Sequence, residues 1–377
     1  MSGRQIRIGL IGSGQIGKIH LEQYGQIADA EIVAVCDVHE ETARNAAEQY
    51  HVPHIYTDYR EMLKRDDIDA VDVCLHNHFH APVTVEALRA GKHVYCEKPI
   101  AGTYADGEAM VAAAAETGKK LHIQLGTLYR NDTKAAKTLI DGGMLGRIYH
   151  VRSNGFRRRN RPFVDGYGTA AFTRKEVAGG GALLDMGVYH IAQLLYLIGL
   201  PEIVSMTGKM YQEMDMPEER RAESGFNVEE LAAGFVRMAG NVTLDIIEAW
   251  SVHLGGFEGS AILGSKGGIR LPSGHPPDGK HPFSFHSTVC DLDLDSSIDL
   301  DMMDVRRHRL NADEDAYDSS QRHWVAALQG RVPLMPTAEA ALKTMLVSEG
   351  LYLSDREGRE VTAEEVKERS QPASVEI

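Results

Sequence analysis

Short apolar runs alternate with helical patterns through the first third of the chain. Segments such as KIHLEQYGQI and APVTVEALRAG have the apolar spacing of amphipathic helices, and residues 104–117 form a long Ala-rich helical pattern. The runs between these segments are short, apolar and bounded by turn residues, as is typical of buried strands: IRIGLI, EIVAVCD, AVDVCL, HVYCEKP and KLHIQL. Strands separated by helices of this length predict βαβ units and a parallel sheet.

The second half of the chain is richer in strand-like runs. Residues 131–142 have a helical pattern that ends at DGGMLG, and residues 273–283 are the clearest long loop. Two amphipathic helices are predicted near the end, at DAYDSSQRHWVAAL and TAEAALKTMLVSEGLYL. The strand-like runs lie between the helical pattern at 131–142 and these two helices: RIYHVRSNGF, EIVSMTGKMY, LAAGFVRMA, NVTLDIIEAW and SAILGSKGGIRL. The change of pattern predicts two domains, residues 1–128 and residues 129–377.

Composition and charge narrow the class of protein. The chain has 377 residues with 43% apolar and 25% charged positions, which is typical of a globular protein. The net charge of −14 argues against a general nucleic-acid binder. No apolar stretch approaches the ~18 residues of a membrane span, and the start MSGRQIRIGL lacks the apolar core of a signal peptide. Four scattered cysteines indicate buried reduced thiols, so we expect a cytoplasmic protein without membrane partners.

A glycine-rich turn follows the first predicted strand. Gly12, Gly14 and Gly17 form a G-x-G-x-x-G pattern that opens a helix, and Asp37 ends the second strand. Such glycines permit a tight turn, close approach of the backbone to a pyrophosphate, and packing of helix on strand. The carboxylate of Asp37 can accept hydrogen bonds from ribose hydroxyls and repels a 2′-phosphate. The sequence therefore predicts a dinucleotide site that favours NAD over NADP.

Two further segments carry groups able to act on a substrate. Glu97 and Lys98 end a strand, where ligands bind in open parallel sheets. Asp185, Tyr189 and His190 interrupt the apolar segment GALLDMGVYHI. On a regular helix Asp185 and Tyr189 share a face, whereas His190 lies roughly 140° away. The segment is thus either a core helix with a few polar groups or a source of acid–base chemistry.

These motifs together resemble the glucose–fructose oxidoreductase/inositol dehydrogenase (Gfo/Idh/MocA) family: GLIGSGQIGKIHLEQY, AVCD, GKHVYCEKPIA and GGGALLDMGVYHI. The resemblance implies an N-terminal Rossmann domain and a C-terminal domain built on a large, mostly antiparallel sheet. It also implies a homo-oligomer, a dimer or a tetramer. The expected activity is hydride transfer between NAD and a secondary hydroxyl or ketone of a sugar, glycoside or cyclitol.

The resemblance assigns roles to individual residues. Lys98, Asp185 and Tyr189 are the expected catalytic set, with Tyr189 taking the hydroxyl proton; many relatives carry histidine at that position, and His190 follows it here. The sequence LHN replaces the more usual Thr-Pro-Asn after the fourth strand. We expect no metal in the site. The predicted cofactor-binding residues are Gly12, Gly14, Gln15, Ile16, Asp37, Leu75, Asn77, His80, Glu97 and Lys98.

Three other clusters have functional and structural interpretations. The run RRRNR at 157–161 predicts either a solvated loop or a substrate clamp, for which Arg157, Arg158 and His190 are the candidate contacts. The pattern H-x-H-x-H at 76–80 offers metal-ligand types, but its place in a turn before a helix favours packing or capping. The acidic stretch 291–302 lacks the glycine and glutamate of a calcium loop and predicts an edge strand.

Two other functions remain open from the sequence. A redox-neutral glycosidase would oxidise a sugar transiently, eliminate the aglycone and reduce the product again. A non-catalytic protein that senses NAD or a sugar would bind the cofactor without turnover.

Overall fold

The computed structural model describes residues 4–272 and 283–375, so the predicted loop at 273–283 lies outside the described residues except for Phe283. The first third alternates strands with helices, as its apolar pattern predicts. The strands are β1 (Ile6–Ile11), β2 (Ala30–Cys36), β3 (His54–Tyr56), β4 (Ala70–Val73), β5 (His93–Cys96) and β6 (Leu121–Ile123). The helices are α1 (Gln15–Tyr24), α2 (Glu40–Tyr50), α3 (Tyr59–Leu63), α4 (Asn77–Arg89) and α5 (Tyr104–Thr117).

The middle of the chain contains most of the remaining strands. They are β7 (Ile148–Phe156), β8 (Ile203–Tyr211), β9 (Leu231–Met238), β10 (Val242–Ala249), β11 (Ala261–Gly264), β12 (Gly267–Arg270), β13 (Ser284–Val289) and β14 (Leu292–Ser297). The helices between them are α6 (Asn131–Asp141), α7 (Lys175–Ala178), α8 (Val188–Leu197) and α9 (Glu218–Ser224). The chain ends with α10 (Leu300–Leu310), α11 (Ser320–Leu328), α12 (Thr337–Glu357), β15 (Val361–Thr362) and α13 (Ala363–Arg369).

The described residues form two sheets of different kinds. The first has six parallel strands in the order β3-β2-β1-β4-β5-β6, which is the order of a Rossmann fold. The second has nine strands in the order β14-β13-β12-β11-β7-β10-β9-β8-β15, all antiparallel except the parallel pair β7 and β10. The predicted fold class, a Rossmann-type sheet plus a mostly antiparallel sheet, is confirmed.

The chain divides into two compact units that do not follow one cut in the sequence. The first unit contains the described residues up to Gly126 together with residues 308–338 and the chain from Pro372 onward. The second contains Thr127–Arg307 and Glu339–Gln371. The division at residue 128 stays a prediction; the C-terminal half contributes to both units.

The core of the first unit shows why a distant segment belongs to it. Trp324 on α11 is fully buried, and its ring lies 5.8 Å from that of His122 and 6.1 Å from that of Tyr95, measured between ring centroids. His122 also bonds to hydroxyls of this distant segment, with 3.1 Å from Nε2 to Ser320 Oγ and 2.9 Å from Nδ1 to Thr337 Oγ1. Aromatic packing and buried hydrogen bonds thus fix α11 to the parallel sheet.

Several sequence expectations outside the site can be compared with the structure. The acidic stretch forms the edge strand β14, in which Asp293 and Asp295 bond to Thr288 and His286 on the neighbouring strand. Three of the cysteines are buried free thiols, but Cys290 is exposed because it lies in the turn between β13 and β14. Among the helices within 4–272 and 283–375, none has both the length and the hydropathy to cross a membrane.

Trp324→Ala should destabilise the protein by about 3–5 kcal/mol, because it removes a fully buried aromatic side chain and leaves a cavity. Urea unfolding followed by circular dichroism measures the loss. Leu310→Ala in the same segment is the matched control, since Leu310 is 81% exposed and should change stability by less than about 0.5 kcal/mol. Equal stability of the Trp324→Ala variant and the wild type would contradict this account of the core.

Candidate active site

The glycine turn after β1 has the geometry of a nucleotide-binding loop. Gly12 has a φ of 92°, and a Cβ there would overlap the carbonyl oxygen of Cys74. A Cβ on Gly17 would overlap the carbonyl oxygen of Gly12, so the start of α1 can pack on the loop only with glycine at this position. Gly14, in contrast, has open space where its Cβ would lie. The loop is therefore tight within the protein and open on the side of Gly14, which leaves room for a phosphate.

The carboxylate of Asp37 is fixed beside this loop. Its Oδ2 accepts hydrogen bonds from the backbone N–H and the hydroxyl of Ser13, at 2.9 and 3.2 Å, and its Oδ1 accepts from the N–H of His39 at 3.0 Å. Oδ1 accepts only one of these bonds and has a further lone pair, so the group can still accept from a ribose hydroxyl. The loop and Asp37 fit a dinucleotide cofactor, and the first turn of α1 adds Gln15 and Ile16 at the same place.

The turn after β4 contains the predicted contacts Leu75, Asn77 and His80. The buried ring of His80 lies between two backbone carbonyls, with Nδ1 2.8 Å from Pro99 O and Nε2 3.0 Å from Leu75 O. The His80 side chain thus ties the turn after β4 to the segment after β5. Burial lowers the pKa of His80. The contacts of the ring are those of a packing residue, which the sequence pattern favoured over a metal ligand. Its predicted role as a cofactor contact remains a prediction.

Glu97 and Lys98 follow directly after β5. Glu97 is buried, and its Oε2 accepts the backbone N–H of Lys98 at 2.9 Å. Its other oxygen lies 2.9 Å from Nε2 of His20 on α1. Lys98 is half-buried and precedes a cis peptide bond to Pro99. The buried carboxylate of Glu97 therefore connects the end of β5 to α1.

The segment that carries Asp185 is not a regular α-helix. Leu183–Gly187 form a π-helical turn, and α8 continues from Val188. A π turn contains more residues than an α turn, so residues five apart come closer to the same face. The prediction of a regular helix through Asp185 is therefore wrong, and the angle of roughly 140° between Asp185 and His190 assumed such a helix.

Asp185 and His190 both have hydrogen-bond partners near the end of β10. Asp185 Oδ2 accepts the indole N–H of Trp250 at 3.0 Å, and Nδ1 of His190 lies 3.0 Å from Oε2 of Glu248. Glu248 lies on β10, and Trp250 follows directly after its last residue. Asp185 and His190 therefore both bond to residues at the carboxyl end of β10.

Another buried carboxylate holds the start of this helix. Glu229 accepts the backbone N–H groups of Gly181 and Leu183, both at 2.9 Å, and the hydroxyl of Tyr352 at 2.8 Å. Burial raises the pKa of Glu229, although these three donors oppose the shift. An acceptor at a helix N-terminus satisfies N–H groups that have no partner within the helix. Glu229 thus fixes where the turn carrying Asp185 begins.

His190 and Glu248 form a carboxylate–imidazole pair. Glu248 is fully buried and accepts the Ser153 hydroxyl at 2.8 Å in addition to its contact with Nδ1 of His190. Burial lowers the pKa of His190, but the charge and hydrogen bond of Glu248 outweigh it, so the pKa lies above its ordinary value. Nε2 has no hydrogen-bond partner among the described residues. The ring is held at one nitrogen and available at the other.

The arginine run divides into separate roles. The guanidinium of Arg157 lies 3.6 Å from Asp185 Oδ2, bonds to the hydroxyl of Tyr167 and lies 5.4 Å from that ring's centroid. Arg158 is exposed. Arg161 is buried in ion pairs with Asp165 and Glu230, at 3.0 and 3.1 Å, and therefore stabilises the loop. Of these three arginines, only Arg157 lies beside a predicted catalytic group, Asp185.

Sequence reasoning missed four residues of this arrangement. Ser153, Glu229, Glu248 and Trp250 hold or orient the predicted groups but were treated only as parts of strands or not singled out. A signal was present for Glu248, because it is a carboxylate within the apolar run NVTLDIIEAW. Buried carboxylates need donors, so such a position predicts a partner such as a histidine.

The family follows from two matching family models. A model described as "Oxidoreductase family, NAD-binding Rossmann fold" matches residues 6–125. A second, the "GFO/IDH/MocA C-terminal domain", matches residues 133–270. The chain belongs to the Gfo/Idh/MocA family. The resemblance that the sequence motifs indicate is thereby confirmed.

Curated members of the family include sugar and cyclitol dehydrogenases. D-glucoside 3-dehydrogenase of Escherichia coli K12 is 34% identical over 57% of this chain and 60% of its own length. Inositol 2-dehydrogenase of Salmonella typhimurium LT2 is 33% identical over 42% of this chain and 48% of its own. The matched region thus covers about half to three fifths of these relatives.

Solved structures of other proteins share this fold. A levoglucosan dehydrogenase in complex with NADH and levoglucosan has a TM-score of 0.77 at 20% identity and covers 96% of this chain and 100% of that chain. The likeness extends over both sheets of this Gfo/Idh/MocA protein.

Gly155→Ala should break the His190–Glu248 pair in this family member. Gly155 lies opposite Glu248 in the parallel pair β7 and β10, and a Cβ there would overlap the Glu248 carboxylate and lie 2.9 Å from His190 Nδ1. We expect the pKa of His190 to fall, since the carboxylate that raises it is displaced. Proton NMR of the imidazole during a pH titration measures this fall. Gly255→Ala is the matched control, because nothing lies within 4 Å of its added Cβ; an unchanged titration in both variants would contradict the assignment.

Proposed function

We propose that this protein is an NAD-dependent dehydrogenase that oxidises a secondary hydroxyl of a sugar, glycoside or cyclitol, or reduces the corresponding ketone. The observation that carries the proposal is the carboxylate-held His190 on the same helix as Asp185 and Tyr189, in a chain that also contains a complete nucleotide loop. Family membership and relatives named as glucoside and inositol dehydrogenases support it.

The cofactor is NAD rather than NADP. Asp37 presents a fixed carboxylate at the end of β2, and such a charge repels a 2′-phosphate. The next residues are Val38 and His39, so no arginine follows to bind that phosphate. The predicted cofactor contacts at Leu75, Asn77, His80, Glu97 and Lys98 belong to the same proposal.

The residues of the chain divide the chemistry among them. When bound, the nicotinamide accepts or supplies the hydride. Tyr189 takes the hydroxyl proton; since an ordinary tyrosine has a pKa near 10, it needs a neighbouring cation to do so near neutrality. Lys98 supplies that positive charge and stabilises the oxygen that loses the proton. Asp185, already held by Trp250, orients the substrate together with Arg157.

His190 is the alternative proton acceptor. Its Nδ1 is held by Glu248, and its Nε2 is available, which is the arrangement of a histidine general base. If Tyr189 acts as the base, His190 and Arg158 bind other hydroxyls of the substrate. The two assignments differ in their dependence on pH.

The setting of the enzyme is also part of the proposal. Three buried free thiols are consistent with a reducing, cytoplasmic location. The family resemblance favours a dimer or a tetramer, which light scattering after gel filtration measures directly.

The activity itself is tested by NADH absorbance at 340 nm with a panel of sugars, cyclitols and aryl glycosides, with aglycone release followed in the same wells. We expect NADH to rise with one class of substrate. Release of aglycone without net NADH would instead establish a redox-neutral glycosidase. Binding of NAD without either signal would favour a sensor and overturn the proposal.

Lys98→Met should lower kcat/KM by about 10²–10³-fold, because it removes a charge that stabilises the reacting oxygen. The affinity for NADH, measured by fluorescence titration, should change by less than threefold. Lys64→Met is the matched control, since Lys64 is an exposed lysine of the same unit paired with Glu61. Equal loss of cofactor binding and turnover would show that Lys98 has a structural role.

Glu248→Gln distinguishes the two proton acceptors. If His190 is the base, activity falls below its pKa, and removal of the carboxylate that raises this pKa should shift the acidic limb of kcat/KM to lower pH. If Tyr189 is the base, the limb should stay in place. Tyr189→Phe and His190→Asn complete the test, because loss of the base should lower kcat by about 10²–10⁴-fold and loss of the other residue by much less.

A further inference from the structure

The first unit contains a buried charged cluster in which His20 and Asp72 have no role in the proposed reaction. His20 on α1 lies between two carboxylates, with its Nδ1 2.9 Å from Asp72 Oδ2 and its Nε2 2.9 Å from Glu97 Oε1. All three residues are buried. They join a helix to two strands, since Asp72 is on β4 and Glu97 follows β5.

The hydrogen bonds require His20 to be an imidazolium. A carboxylate only accepts, so each ring nitrogen must carry a proton. Burial alone lowers the pKa of His20, but Asp72 and the other acidic neighbours raise it well above its ordinary value. The positive ring in turn lowers the pKa of Glu97, although burial of that carboxyl acts in the opposite direction. The charge of Asp72 thus favours the protonated ring of His20, and that ring favours the ionised form of Glu97.

The surroundings of the cluster are consistent with this state. The Cys74 Sγ lies 3.2 Å from His20 Nδ1 and 3.3 Å from Asp72 Oδ1, and the Tyr95 ring meets the imidazole edge-on at 5.7 Å between centroids. Tyr24, also on α1, has its pKa raised first by burial and then by the charge of Asp72. His20, Asp72 and Cys74 bring metal-ligand atoms within 4.8 Å of one another, but an imidazolium has no lone pair for a cation.

The cluster reaches Lys98 through Glu97. One oxygen of Glu97 is held by His20, and the other accepts the backbone N–H of Lys98 at 2.9 Å. We propose that His20 is the positioning residue for Lys98, because its ring holds one oxygen of Glu97 and so orients the other toward that N–H. This inference rests on the proposed function, in which Lys98 acts on the substrate.

Replacement of His20 by a neutral residue should release the end of β5. Without the ring charge, burial favours protonation of Glu97, so the pKa of Glu97 rises. A protonated carboxyl is a weaker acceptor for the N–H of Lys98 than a carboxylate. The backbone at Lys98 then loses its fixed position, and the effect grows as the pH falls.

The test combines an exchange measurement with kinetics. With nitrogen-15 lysine as the only label, NMR follows hydrogen exchange of the Lys98 amide, and the Lys92 amide serves as internal reference since it donates to Ala87 O nearby. In His20→Asn we expect faster exchange at Lys98 than in the wild type with little change at Lys92. We also expect kcat to fall at least tenfold, with a new acidic limb in its pH profile and less than a twofold change in KM for NAD⁺.

Two further variants separate positioning from a general loss of packing. The double variant His20→Asn with Glu97→Gln should lack the new acidic limb, because glutamine has no proton to gain. His122→Asn is the matched control, since His122 is equally buried in the same unit but bonds to hydroxyls of Ser320 and Thr337 instead of carboxylates. It should lower stability without changing Lys98 exchange or the pH profile. His20→Gln is used if His20→Asn does not fold.

The outcomes separate this inference from the proposed function. If the wild type turns over no substrate, the proposed function fails, and the exchange of the Lys98 amide still decides the role of His20. Unchanged exchange at Lys98 in the His20 variant, or the same change in the His122 control, would overturn the inference.

Discussion

The structure depends on the pairing of carboxylates that lie inside the protein. Burial of a charge without donors is costly, so each such group must be placed where donors meet it. Asp72 and Glu97 receive the ring of His20, Glu229 receives the N–H groups at a helix start, and Glu248 receives His190 and Ser153. Because hydrogen bonds have narrow distances and angles, each pairing also sets the position of the element that supplies the donor.

These pairings occur where function is expected, and they fix a backbone segment in the first unit and a helix start and an imidazole ring in the second. In the first unit, the carboxylates connect α1, which follows the nucleotide loop, to the strand end that carries Lys98. In the second unit, Glu229 fixes where the helix that carries Asp185 starts, and Glu248 fixes the position of the His190 ring. Perturbed pKa values cluster at such places because a buried charge shifts the titration of its partner. His20 and His190 share this property, with carboxylates raising the pKa of each against the effect of burial.

Local patterns predicted much of the fold. The alternation of strands and helices, the glycine turn at Gly12–Gly17 and the acidic edge strand β14 depend on residues close in sequence, so their periodicity is sufficient. The strands β3, β13 and β15 and the helices α7, α9, α10 and α13 were not predicted. The helix α10 begins within the acidic stretch 291–302, of which only 292–297 forms the predicted edge strand. Packing of α11 in the first unit depends on contacts between residues about 200 positions apart, such as His122 with Ser320, which no local pattern contains.

The sequence predicts candidate site residues, and their assignment stays a prediction. Asp37, Lys98 and Asp185 lie in contiguous motifs that a sequence displays, whereas Glu248 and Trp250 contact a helix more than fifty residues away. The error in the helix through Asp185 has a specific cause. A helix of constant pitch was assumed, and one π turn changes which side chains share a face.

The π turn at Leu183–Gly187 has a consequence for how relatives of this chain should be compared. Such a turn accommodates an inserted residue without displacing the helix on either side, so two homologues can differ there by one position and still pack identically. Alignment without a gap would then equate residues that occupy different places. Superposition of the helices, with β10 as the reference, is the sounder basis for deciding which side chain in another member corresponds to Tyr189 and which to His190.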